Sequence, residues 1–277
     1  MKAKKKRVIP GFGLSMGVTI TILSLVVLIP LAALVIYTSR MHLSDIIETI
    51  TRPRVLASFK VTFLTSLIAS IINSIMGVIL AWVLVRYEFP GKRILDGCIE
   101  LPFALPTSVA GITLSKMYSE NGILGAPLAK LGIKVSYTHL GLVIALVFVG
   151  IPFVIRAVQP VLEKLDGQYE EAAFMLGANR FQTFRRVLLP EMMPPVLTGF
   201  GLAFARGIGE YGSVIYISGN SEREHTQVIS YVIMQKLGYI DYASATAIAL
   251  VMLILSFVLL LAVNIVQMKQ AARTNNV

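Results

Sequence analysis

Arg206 and Glu210 are opposite charges four residues apart within a long apolar run, a spacing that brings both side chains to one face of a helix. Such a pair can do two things. The guanidinium can attract or gate an anion, or the carboxylate can neutralise it and the pair can tie its helix to its neighbours. Because Glu210 cancels the charge an anion would seek, the residue types favour the structural role. Patterns that carry catalysis are missing from the sequence. No G-x-x-x-x-G-K-[ST] loop is present to hold nucleotide phosphates. His42, His139 and the single cysteine, Cys98, are far apart, and neither H-E-x-x-H nor C-x-x-C supplies metal spacing. There is no G-x-S-x-G elbow for a nucleophilic serine. The chain reads as a non-enzyme, without a catalytic, cofactor or metal site of its own.

The elements that must position this pair are membrane helices. Of the 277 residues, 56% are apolar and 14% charged, with a mean hydropathy of +0.76. That excludes a disordered chain, and one cysteine excludes a disulfide scaffold. A nucleic-acid-binding domain would account for the net charge of +10 but not for the hydropathy. A bilayer core needs about 20 apolar residues per helix. Charge-poor runs of this kind lie at 14–38, 61–85, 101–115, 140–155, 196–218 and 242–266. The third is short and interrupted by Pro102 and Pro106; the fourth ends at Pro152, Arg156 and Pro160. The first run is too long for a signal peptide and lacks an A-x-A site, so it is expected to be a retained helix. The expectation is an all-α integral membrane protein with six transmembrane helices. Residues 1–13 and 268–277 form tails around a single transmembrane domain over 14–267. With the N-terminus inside, 15 Lys and Arg fall on the inner side and nine on the outer. The positive-inside rule therefore places both termini in the cytoplasm. The +10 is topogenic, and no nucleic-acid partner is implied.

The inner loop at about 160–195 looks like a docking element. Tyr169, Ala172, Ala173 and Leu176 recur at i, i+3, i+4 and i+7, one face of a short helix. Asp166 is the expected N-cap, and Glu170 and Glu171 suit the positive end of the helix dipole. Gly177 is expected to stop the helix. A second amphipathic piece should run from Phe181 to Leu189 and end at Pro190. An anionic membrane surface would repel the acids of the first turns, so a protein partner is favoured over a surface-lying helix.

Glu171-Ala172-Ala173, three residues, Gly177, nine residues and then Val187-Leu188-Leu189-Pro190 resemble the EAA signature of ABC importer permeases. Leu101-Pro102-Phe103-Ala104-Leu105-Pro106-Thr107-Ser108-Val109-Ala110-Gly111 and Ala205-Arg206-Gly207-Ile208-Gly209-Glu210-Tyr211-Gly212-Ser213-Val214 resemble motifs of the sulfate/thiosulfate permeases. Val8-Ile9-Pro10-Gly11-Phe12, Ser218-Gly219-Asn220 and Arg86-Tyr87-Glu88-Phe89-Pro90-Gly91 are similar to the same family, although it often has Phe where Tyr211 stands. The similarity runs nearly end to end and is closest to the T-type subunit.

The resemblance implies a type I ABC importer permease fold and ATP-driven uptake of sulfate or thiosulfate across a bacterial-type cell (inner) membrane. Molybdate or tungstate permeases are the nearest alternative, and a secondary anion carrier a more distant one. Glu171, Ala172, Ala173, Gly177, Leu189 and Pro190 would couple the chain to a dimer of separate ATP-binding subunits, which would hold ATP and Mg. Further partners would be a second homologous permease, an extracytoplasmic sulfate-binding protein and membrane lipid. The loops at 41–58 and 220–241 would receive the binding protein.

Broken helices at membrane depth survive only where protein or a water-lined cavity satisfies the freed backbone groups. Pro106, Thr107 and Ser108 are therefore candidate pathway residues, together with Arg206, Gly209, Glu210 and Ser213 of the fifth run. An isolated charge at mid-bilayer costs about 2.5–3.5 kcal/mol, so Arg206 and Glu210 should face protein or a wet path. Small residues recur every four positions in that run, as Gly199, Ala203, Gly207 and as Ala205, Gly209, Ser213. Such rows let helices approach closely, and two packed sides are expected.

Overall fold

The computed structural model describes residues 12–165 and 167–274. The basic N-terminal cluster, the Val8 to Gly11 stretch and Asp166 lie outside the described residues. Helix α1 spans Phe12–Thr38 and α2 Leu43–Thr51, and both lead to α3, the long Pro53–Arg86. Short helices α4 (Lys92–Ile99), α5 (Leu101–Ala104), α6 (Thr107–Met117) and α7 (Gly125–Lys130) follow. Then come α8 (His139–Lys164), α9 (Gln168–Met175) and α10 (Arg180–Ile208). The chain closes with α11 (Gly212–Ile217), α12 (Ile229–Gly238) and α13 (Tyr242–Thr274).

Five helices among the described residues are long and apolar enough to cross a bilayer: α1, α3, α8, α10 and the Tyr242–Lys269 part of α13. The run at 101–115 is not a continuous sixth. Pro106 has no N–H to donate and drives Leu105 out of the helical region, to ψ 136°. The segment splits into the one-turn α5 and the 11-residue α6, which rises only about 16 Å. It nevertheless returns the chain from the Arg86 end of the bundle to the His139 end.

Prolines act differently in α1 and α10. A π-helical turn at Ser24–Leu28 precedes Pro30, and one at Phe184–Leu188 precedes Pro190. In each, the residue just before the proline donates its N–H five residues back, Ile29 to Ser24 O and Leu189 to Phe184 O. The widened turn makes room for the pyrrolidine ring, and the helix continues. The expected stop at Pro190 is thus overturned: α10 runs through it to Ile208.

The centre of the bundle is α8, packed against α3 and α10. Leu142, Leu146, Val149, Val154, Val158 and Leu162 are buried along it. The row Gly199, Ala203, Gly207 carries one side of this packing. A Cβ on Gly199 would come within 2.6 Å of the Val154 Cα, and one on Gly207 within 3.2 Å of Ser66. The second row packs only at Ser213, which is buried, and is broken at Gly209. Gly209 is exposed beyond the end of α10, with nothing nearer to its Cβ position than the Ala205 carbonyl oxygen at 3.9 Å. α1 buries none of its most apolar window, leaving that stretch for lipid or another chain, while its Ile29–Thr38 end packs on α13 and buries Thr38.

At the Arg86 end, Arg156 of α8 pins α4. It reaches Asp96 and Glu100 at 2.8 Å and Gln159 at 2.7 Å. The amphipathic α4 is thereby held across the foot of the bundle.

Candidate functional site

The loop expected to dock a partner is a helix, a glycine turn and a second capped start. Gly177 has φ +81°, a conformation that suits a residue without Cβ. Its N–H donates to Phe174 O at 2.9 Å and that of Ala178 to Ala173 O at 3.0 Å, the Schellman pattern for ending a helix. Asn179 then opens α10 with a capping box: its side chain accepts from the Gln182 N–H at 2.9 Å, and Gln182 accepts from the Asn179 N–H at 2.9 Å.

The face expected from periodicity is assembled. Tyr169, Ala172, Ala173 and Leu176 line one groove of about 470 Å³ with Gly177 and Arg186. Met175 and Leu176 are both 89% exposed, and Glu171 is exposed beside them. Apolar tips this open, beside a free carboxylate, fit a surface built for another protein. Leu189 is half-buried and Pro190 exposed at the start of the long part of α10, behind the loop rather than on its tip.

The back of the loop is clamped by two residues of α3 that the sequence marks only as membrane filling and topogenic charge. The Arg86 guanidinium forms an ion pair with Glu170 at 2.9 Å and donates to Leu165 O at 2.9 Å. It also lies over Trp82, 5.5 Å from the ring centre, and Trp82 meets Phe184 edge-on at 5.7 Å. The segments entering and leaving α9 are therefore held by one face of one helix. The signal that could have found them is the i, i+4 spacing of Trp82 and Arg86 at a helix end, next to acids expected in the loop.

At membrane depth, the two sets of candidate pathway residues meet. α6 and α11 start side by side. A Cβ on Gly111 would overlap the Ser213 carbonyl oxygen and lie 2.8 Å from its Cα, while one on Gly212 would overlap the Thr107 hydroxyl. Only glycine permits backbones so close. Pro106, Ser108 and Gly209 are exposed on this surface, Thr107 is half-buried and Ser213 fully buried.

The expected run at 196–218 is broken here. α10 ends at Ile208 and α11 begins at Gly212. Arg206 and Glu210 do form their ion pair, but Glu210 sits at the break and not within a helix. Its Oε1 accepts the Ser213 N–H at 2.7 Å, supplying the orphan donor at the start of α11. Its carbonyl accepts the Ser230 hydroxyl at 2.7 Å. Glu210 is 2% exposed; its carboxylate joins the end of α10 to the start of α11, and its backbone carbonyl adds α12. Arg206 remains about one-third exposed.

Residues 73–275 match the family described as binding-protein-dependent transport system inner membrane component. The chain belongs to this family. Among its relatives are proteins named sulfate transport system permease protein CysT. That of Salmonella typhimurium is 46% identical over 273 residues, 99% of this chain and 98% of the relative. That of Escherichia coli is 48% identical over 268 residues, 97% and 96%. Among solved structures, a bacterial ABC transporter involved in import of the acidic polysaccharide alginate superposes with a TM-score of 0.78 at 16% identity, covering 94% of this chain and 96% of that one. A bacterial alginate ABC transporter in complex with alginate pentasaccharide-bound periplasmic protein superposes with a TM-score of 0.75 at 18% identity, covering 91% and 92%. The fold of this multi-pass permease subunit is thus that of ABC importers.

Proposed function

We propose that this chain is the transmembrane permease subunit of an ATP-driven sulfate/thiosulfate importer. It would form half of the translocation pathway in a bacterial-type inner membrane. The observation that carries this reading is the exposed face of Glu171, Ala172 and Gly177, with Ala173 buried beneath it and Arg86 holding it from behind. An ATPase subunit docking there would pull on α9, and the Arg86–Glu170 pair would pass the displacement to α3. The anion specificity rests on the CysT relatives and on the motifs around Pro106 and Glu210. With neutralised charge at the break, the pathway would offer hydroxyls and backbone N–H groups rather than a trap for a dianion.

ATP and Mg would sit on the partner ATPase dimer. A second permease would face the α6–α11 surface, where Pro106, Ser108 and Gly209 are exposed. An extracytoplasmic binding protein would dock at the end of the bundle opposite α9, by analogy with the alginate transporter that carries a periplasmic protein. Both termini would lie in the cytoplasm, on the side where α9 meets the ATPase.

Copurification tests the assembly. The tagged chain should bring out an ATPase and a second permease, and exchange at Gly177 should loosen the ATPase alone. A chain that transports an anion in liposomes without any partner would contradict the proposal.

A further inference from the structure

At the end of the bundle opposite α9, a cavity of about 340 Å³ opens between α3, the start of α8 and the loop before α12. Its polar lining consists of Lys60, His139, His225 and Thr65, and no acid lines it. Several cations at this end are engaged: Arg52 with Glu48 at 3.0 Å, Lys134 with Glu120 at 3.6 Å and Lys236 with Asp241 at 2.9 Å. Arg54, in the adjoining hollow, is taken by Gln227 at 2.7 Å, by Gln235 and by Glu222 at 3.5 Å. Lys60 has no ion-pair partner among the described residues. It is exposed near the outer end of α3, one residue before the apolar run at 61–85.

The cavity is also built, not merely lined. His139 Nε2 lies 2.9 Å from the His225 carbonyl oxygen and donates to it, which ties the start of α8 to the His225 loop and orients the ring. His225 holds a left-handed backbone at φ +51°, secured by its own N–H to Glu222 O at 3.2 Å and by the Thr226 N–H to Ser221 O at 3.0 Å. A non-glycine residue in that region is strained, and such strain persists where the surroundings impose it. The N-terminus of α8 adds its positive dipole end. Leu64 and Val61 line the inner wall, and apolar walls strengthen the field of nearby charges.

We propose that Lys60, with the His225 imidazole that His139 holds in place, binds a tetrahedral oxyanion at the end of the bundle opposite α9. The anion is sulfate released for import, or the phosphate of a lipid headgroup with the same chemistry. The sulfate source rests on the function proposed above; the oxyanion site does not.

The test uses the full chain purified in a maltoside detergent with whatever subunits accompany it. Cys98→Ser removes the native thiol, and Leu64→Cys places one in the cavity wall. An anionic thiosulfonate reagent should modify this thiol several-fold faster than its trimethylammonium analogue. Millimolar sulfate should slow the anionic reagent, and chloride at equal ionic strength should not. Lys60→Gln with His139→Gln should abolish the preference, whereas Lys60→Arg should keep it. Slowing by short-chain phosphatidylglycerol but not by sulfate would assign the site to a lipid phosphate. Equal rates for the two reagents, with no protection by either anion, would overturn the proposal. Sulfate uptake by the reconstituted parent assembly is measured separately. Failed uptake with an intact reagent preference sinks only the import reading; intact uptake without the preference sinks only the cavity.

Discussion

Arg86 and Glu170 meet at 2.9 Å and join the longest helix of the bundle to the short helix that a partner would grip. Both side chains are less than one-third exposed. The pair is shielded by Trp82 and shares the guanidinium with the Leu165 carbonyl. It lies behind the docking surface, so a partner can bind Glu171 and Gly177 without displacing it.

This separation makes a specific prediction. Glu170→Gln should leave ATPase binding nearly intact and weaken the link between hydrolysis and transport, because the pair contributes about 0.5–1 kcal/mol at such exposure. Anion uptake per ATP should fall several-fold. The reversed pair, Arg86→Glu with Glu170→Arg, should recover part of it. Unchanged uptake per ATP in Glu170→Gln would contradict the mechanical role of Arg86.

Gly177→Val acts on the other side of the helix. A β-branched residue at φ +81° costs about 1–2 kcal/mol and opens the turn after Met175. ATPase should be lost on size-exclusion chromatography while the permease itself stays folded.

Glu210→Gln tests whether the membrane charge pair is structural. It leaves Arg206 without its counter-charge beside a buried amide and weakens the acceptor of the Ser213 N–H. A loss of about 1–3 kcal/mol is expected, read as a lower melting temperature in detergent. A variant that keeps its melting temperature, assembly and transport would make Glu210 a candidate for anion contact instead.

Gly111→Ala probes the α6–α11 contact. The added methyl falls on the Ser213 backbone, which cannot rotate away. Overpacking of this kind costs about 1–3 kcal/mol, and the permease yield should drop. Ser108→Leu, on the exposed side of the same helix, should spare folding and impair transport. Full transport in Ser108→Leu would remove Ser108 from the pathway.

What is legible in the sequence is local. The docking helix, its groove face and its glycine stop follow from spacing and turn chemistry within about ten residues, and they stand in the structure. The broken third run is visible in Pro102 and Pro106, yet nothing local says that α6 comes to rest on α11, because that contact depends on glycines far apart in the chain. The fifth run reads as one helix since Arg206 and Glu210 have helical spacing; the pair forms, but across a break that the Ser213 amide and Ser230 hydroxyl stabilise. Pro190 reads as a stop because a proline in an α-helix lacks its hydrogen bond, and a π-turn removes that conflict. Arg86 is marked locally only by its i, i+4 spacing from Trp82 and its place in a family-like motif; its partner Glu170 is chosen by tertiary packing.

Coupling of sulfate movement to a docked ATPase is tested most directly in the complete assembly. The chain, its ATPase, its companion permease and the binding protein should be reconstituted together in liposomes. ATP hydrolysis is then measured with sulfate, thiosulfate, molybdate or tungstate supplied on the side of the binding protein. Stimulation by sulfate or thiosulfate, lost with Gly177→Val, is the predicted result. Stimulation by molybdate alone would contradict the sulfate assignment, and hydrolysis indifferent to every anion would contradict the coupling itself.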